Sequence, residues 1–187
     1  MSYVTIYAVQ ASGDVTEIDD ASNNHAGAPL VWRVLGTKYE YLDPLQHPFF
    51  LVDPGVEVMW DEWPSPRMSI TENVLLGSTF DNVWVDRSAL PLLIQGWSEF
   101  HAEHIRPNRI DERCAVGIIA ALREAHEDTS VRGVAFNMCS ANDSPWEVND
   151  GEDWLPFNVD SPPADSCAWE LTSRMREKGY DHPLGVE

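Results

Sequence analysis

The spacing of apolar and polar positions changes several times along the chain, and each change marks an element. Residues Tyr3 to Val9 set Val4, Ile6 and Ala8 against Tyr3, Thr5 and Tyr7, the period of two expected of a strand. Ala11-Ser-Gly-Asp14 reads as a turn, Val15 to Ile18 as a short returning strand, and Asp19 to Gly27 as polar loop. Pro29 suits a first helical turn, and Leu30, Val31, Val34 and Leu35 predict a helix to about Tyr41. Pro44, Pro48, Pro54, Pro64 and Pro66 then interrupt residues 43–67. Proline lacks the amide that long regular elements need, so this segment is expected to be an irregular, aromatic-bearing loop.

Ser69-Ile-Thr-Glu72 has the spacing of a capping box and predicts a short helix to about Gly77. Val83, Trp84 and Val85 predict a strand within Asp81 to Asp86. Ser88 is expected to cap a long helix from Ala89 to Ile105, with Pro91 in its first turn. A second helix, Asp111 to Glu127, places Cys114, Ala115, Ile118, Ile119, Leu122 and Ala125 on one face. Val131 to Met138 is a further apolar strand, residues 139–167 read as a long loop, and Ala168 to Lys178 as a terminal helix. The pattern predicts an α+β fold in one globular domain over residues 1–187. A small, mostly antiparallel sheet of three or four strands packs against four or five helices, with long acidic, aromatic-rich loops at 43–67 and 139–167.

Charge changes the picture more than composition does. The 187 residues hold 12 Lys and Arg against 31 Asp and Glu, a net charge of −19, yet the hydrophobic fraction of 43% is that of a folding chain. A sequence pI near 4.4 disfavours direct binding to nucleic acid or to an anionic membrane, since a phosphate binder needs surplus cations. No apolar run approaches the roughly 20 residues that span a bilayer. The opening Met-Ser-Tyr-Val-Thr-Ile-Tyr carries no secretory pattern, so a cytoplasmic location is expected. Three cysteines without Cys-x-x-Cys spacing argue against a zinc knuckle or a disulfide framework.

The excess of acid is concentrated. Three segments lack any Lys or Arg: the stretch before Arg33, residues between Lys38 and Arg67, and residues between Arg132 and Arg174. The second and third interleave acids with tryptophan and phenylalanine. An acidic face with embedded aromatics suits a basic partner, because complementary potential speeds encounter and large rings supply anchoring area. The expected contact residues are Trp60, Asp61, Glu62 and Trp63, with Glu147, Asp150, Glu152, Asp153 and Trp154. The plainer alternative is that the acids solvate the surface while the aromatics fill the core.

Candidate chemistry is sparse. His101 and His104 are three residues apart in the middle of the apolar stripe of a predicted helix and could converge on one metal ion, but Glu99 and Glu103 fall on the opposite side, so a third ligand would have to come from elsewhere, for example Asp or His in the acidic loops. The spacing also differs from the His-Glu-x-x-His of zinc proteases. Asp61-Glu62 and Glu152-Asp153 are adjacent pairs, and neighbours on an extended segment point opposite ways, so neither pair can by itself flank a glycosidic bond. Cys139 leaves a strand among acidic neighbours that would raise its pKa, which favours a packing or turn role. Walker, nucleophile-elbow and dinucleotide motifs are absent. The expectation is a non-enzymatic acidic protein without a cofactor, bound to a basic protein such as a nuclease or another nucleic-acid-handling complex. The rival is a small metal-dependent hydrolase built on His101 and His104, or a salt-adapted structural protein.

Overall fold

The computed structural model describes residues 3–22, 27–48, 53–80, 82–106, 110–137, 146–149 and 154–180. Its centre is a sheet with a different apolar layer on each face. The strands β1 (Tyr3–Gln10) and β2 (Val15–Ser22) form an antiparallel hairpin, closed by a turn in which Gly13 takes a φ of +87° that side-chain-bearing residues rarely adopt. Helices α1 (Ala28–Lys38), α2 (Val56–Asp61) and α3 (Ile70–Gly77) follow, then β3 (Val83–Asp86), a 3-10 turn at Arg87–Ala89, α4 (Leu90–His104) and α5 (Ile110–Glu127). After β4 (Val131–Asn137) come two short strands, β5 (Glu147–Asn149) and β6 (Trp154–Pro156), then β7 (Trp169–Glu170) and α6 (Leu171–Glu177).

The main sheet has the order β2-β1-β4-β3-β7, antiparallel throughout except for the parallel pair β3–β7, while β5 and β6 form a separate antiparallel ribbon. The fold is therefore α+β. The sheet is mixed, with five strands where three or four are expected, and six helices are described. Four local differences have physical reasons. First, β2 runs on through Asp19 and Asp20 to Ser22, because pairing with β1 as far as Tyr3 satisfies backbone groups whatever the side-chain propensity. Second, the segment 43–67 contains α2, since Pro54 and Pro64 lie outside Val56–Asp61 and leave six residues free to coil. Third, Ser88 does not cap α4, whose N-cap is Ala89 without a side-chain bond; Asp86 instead caps the 3-10 turn before it, its carboxylate accepting from both the amide and the hydroxyl of Ser88 at 2.9 and 2.7 Å. Fourth, the stretch 139–167 is not all loop, because it carries β5 and β6.

One face of the sheet is covered by helices. Val4, Ile6 and Ala8 of β1, Val83 and Val85 of β3 and Phe136 of β4 share one buried core with Leu90, Leu93, Trp97, Ile118 and Leu122. On the other face Tyr7, Val9, Val15, Trp84 and Ala135 are covered by Trp146 and Phe157. Residues 146–149 and 154–160 form a strap over this face and carry these two rings. The Trp146 indole donates to the Phe136 carbonyl at 2.8 Å, and the Val15 amide donates to the Phe157 carbonyl at 2.7 Å. Asn158 donates to the Ser12 carbonyl and the Asp14 carboxylate, and Arg132 pairs with Asp160 at 2.7 Å with its guanidinium 5.1 Å over the Trp84 ring. Burying each large ring contributes about 2–3 kcal/mol. None of the described helices is long and apolar enough to cross a membrane.

Candidate functional site

The sequence Trp60-Asp-Glu-Trp63 closes α2, and helical geometry sorts its residues. Val56, Met59 and Trp60 face inward, whereas Glu57, Val58, Asp61 and Glu62 face solvent. Trp60 and Trp63 are 8% and 3% exposed, so neither ring is offered to a partner. Their expected role as surface anchors gives way to a core role. Trp63 donates its indole N–H to the Asn73 carbonyl at 2.9 Å and lies 6.0 Å from Trp60 and 5.7 Å from Trp169, ring to ring. The Lys178 ammonium caps the corner, donating to the Trp63 carbonyl at 2.6 Å. Tryptophan thus fastens α2 to the body while the two acids between the tryptophans stay outside.

The neighbouring turn completes this acidic face. Tyr41 donates to Glu62 at 2.6 Å, and a Cβ on Gly55 would strike the Tyr41 carbonyl and the Leu42 side chain, so Tyr41 and Leu42 lie directly against the start of α2. Burial raises the Tyr41 phenol above its ordinary value, and the Glu62 carboxylate adds to that shift. Arg67 stacks 5.7 and 5.5 Å from the Tyr39 and Tyr41 rings and donates to the Tyr39 carbonyl at 2.8 Å. That cation is thereby committed to the rings. Glu40, Asp43, Glu57, Asp61 and Glu62 are exposed, and among the described residues none of them lies within ion-pair distance of a cation. The same two segments also expose two aliphatic side chains: Leu45, 85% exposed, and Val58, 49% exposed. Sequence reasoning missed both, and the available signal was Val58 lying three and four residues before Asp61 and Glu62 on one helical face.

The second predicted group has a different fate. Glu147 and Trp154 belong to the β5–β6 ribbon, in which Asn149 pairs with Trp154 and Glu147 with Pro156. Asp150, Glu152 and Asp153 lie outside the described residues, as does Cys139. The buried rings of the two acidic segments sit on opposite faces of the sheet, Trp60 and Trp63 with the helices, Trp146 and Phe157 under the strap.

His101 is half-buried and His104 is exposed, with its Nε2 3.5 Å from Glu103 and its ring 5.3 Å from Phe100. The expected placement of both in the middle of the apolar stripe is corrected: the buried line of α4 runs through Leu90, Leu93, Gly96, Trp97 and Phe100. Gly96 draws the stripe round, because α3 crosses so closely that a Cβ there would stand 2.8 Å from the Thr71 carbonyl oxygen. Glu99 and Glu103 accordingly line a cleft of about 180 Å³ between α1, α3 and α4, together with Lys38, Thr71, Glu72 and His104. Among the described residues no three His, Cys, Asp or Glu side chains converge to hold a metal ion.

Inside this cleft the capping box is complete. Ser69 accepts from the Glu72 amide at 3.2 Å, and Glu72 accepts from the Ser69 amide at 2.8 Å. Glu72 also receives Lys38 and Tyr39, each at 2.7 Å. Burial pushes the Glu72 carboxyl up, but the hydrogen bonds from Lys38, Ser69 and Tyr39 outweigh it and hold the group below its ordinary value. Lys38 is correspondingly raised, chiefly by its bond to Glu72. The cluster is internally satisfied and works as a clasp between α1 and α3. Comparison with protein-family models, with curated proteins and with solved structures yields no match to this chain.

Proposed function

We propose that this chain is a non-enzymatic acidic binding protein that docks onto a basic protein surface and masks it. A nuclease or another nucleic-acid-handling protein is the partner class that presents such a surface, as the target of a toxin immunity protein or of a phage inhibitor of a host defence complex would. The observation that carries the reading is the exposure of Glu57, Val58, Asp61 and Glu62 on α2 together with that of Glu40, Asp43 and Leu45 in the turn that Tyr41 ties to Glu62. Carboxylates that pair with no cation among the described residues steer a cationic surface into place, and the exposed aliphatic side chains of the same two segments supply desolvated contact area. The acids here stand in for phosphates, which is how a protein of net charge −19 competes with nucleic acid for the same site.

The test compares two baits in a native lysate at low salt: the unaltered protein and the variant Glu57→Lys/Asp61→Lys/Glu62→Lys. Basic proteins should be enriched on the first and fall by about tenfold or more on the second, and added salt should weaken capture. Equal recovery on both baits would remove this face from consideration.

A further inference from the structure

A second surface, remote in sequence from α2, has the shape and charge of a peptide groove. It runs between the outer strand β2 and α5, encloses about 370 Å³, and has Ile18, Ala121, Ala125 and Val131 as its apolar floor. Ile18 is there because of a β-bulge. Ile6 pairs with Asp19 and Tyr7 with Glu17, so Ile18 is the extra residue on β2, and its side chain borders the groove while remaining 43% exposed. On α5 the exposed Ala120 continues the floor, and Val116, one turn earlier, is 49% exposed. The C-terminal end of the groove is acidic, with Glu124 and Asp128 in its wall and the exposed Glu127 beside them. Arg87 lies at that end and is spent on the carbonyls of Ala125, His126, Asp128 and Val131, while Arg123 is exposed on α5 one residue before Glu124. Arg113 stands exposed near the opposite end.

We infer that this groove takes an extended, lysine- or arginine-bearing segment of a partner protein, its aliphatic residue on the alanine floor and its cations on Glu124 and Asp128. Two observations choose this occupant. Charge excludes a second copy as the favoured one, because two chains of −19 repel and the shared wall is itself acidic. Spacing fits an extended chain. At about 1.5 Å rise per helical residue, Glu124 and Asp128 lie roughly 6 and 12 Å along α5 from Ala120. Alternate residues of an extended peptide advance about 6.6 Å and point the same way, so an aliphatic residue followed by cations two and four positions later matches both carboxylates. This inference stands apart from the proposed role of the α2 face, and either can fail without the other.

The probe is a fluorescein-labelled, amidated peptide, Ile-Thr-Lys-Thr-Lys, titrated with the full-length protein and followed by anisotropy. Saturable binding is expected. It should weaken by about tenfold or more with Glu124→Lys, and likewise with Ala120→Trp, which fills the groove from an exposed position that folding does not depend on. The same binding should persist in Asp61→Lys/Glu62→Lys, and an Ile-Thr-Glu-Thr-Glu peptide should not bind. No saturation at millimolar protein, or equal affinity for all variants, would overturn the inference. Sedimentation velocity provides the remaining outcome: a dimer that Ala120→Trp dissolves would assign the groove to a second copy and overturn it too.

Discussion

Neighbours in sequence separate in space at residues 60–63, and that separation makes their roles measurable. Trp63 lies against Trp60, Trp169 and the Asn73 carbonyl, so Trp63→Ala should cost about 3–5 kcal/mol in chemical denaturation. Asp61→Lys/Glu62→Lys touches only solvent and the Tyr41 hydroxyl, and should stay within about 1 kcal/mol. A reversed order of these two effects would contradict the orientation of α2. The composition of this tetrapeptide is legible in the sequence, but its direction is not, because the prolines around it hide the helical period that turns tryptophan in and acid out. Glu72 allows a second forecast. Its carboxyl ionises below the ordinary value of 4.5, so its contribution to stability is present above that pH and disappears as pH falls through the folded value. Glu72→Gln keeps the shape and removes the charge; it should cost about 1–2 kcal/mol at pH 7 and no more than a few tenths well below pH 4, read from urea midpoints.

Elements whose determinants are local are the ones that sequence reveals. The capping box of α3, the period of β1 and the apolar face of α5 are each written within a few residues, and the structure has all three. Elements made by distant partners are hidden. β7 exists because its two residues find β3 in parallel register, and the strap over the second sheet face exists because Trp146 and Phe157 meet Tyr7, Val9 and Trp84. The α4 stripe is an intermediate case. Its residues are legible, but the crossing point is not, since glycine carries no apolar signal and Gly96 is where α3 makes its close approach. That gives an element-scale prediction. Gly96→Ala gains helix propensity worth about 1 kcal/mol, yet its Cβ meets a backbone carbonyl oxygen at 2.8 Å that cannot swing aside. Net destabilisation of about 1–2 kcal/mol is expected, together with a shift in the near-ultraviolet signal of Trp97 next to it; a stabilised variant would show that α3 and α4 are free to part.

At the scale of the whole molecule, two electrostatic effects of opposite sign act on stability, and salt tells them apart. A net charge of −19 compresses many carboxylates into one compact body, and their mutual repulsion favours the unfolded chain most when all are ionised. Lowering the pH from 8 toward 5 relieves part of that repulsion and should raise the thermal midpoint at low ionic strength. Short-range bonds act the other way. Glu72 is held below its ordinary value despite burial, Asp14 is lowered by Asn158 and Ser12, and Asp128 by Ser130, so their stabilising contributions persist near neutrality and vanish on further acidification. The midpoint should therefore pass through a maximum near pH 5 and fall below about pH 4. Salt at 0.5 M brings the Debye length to roughly 4 Å, which screens repulsion across the surface but leaves hydrogen-bonded contacts largely intact. The rise between pH 8 and 5 should flatten in salt, while the acid limb remains. Thermal unfolding followed by circular dichroism at 10 mM and 500 mM NaCl across this pH range decides the matter. A midpoint independent of salt at pH 8 would mean that the acids are spaced widely enough to be harmless to the fold, and that their density on the α2 face is no electrostatic burden to it.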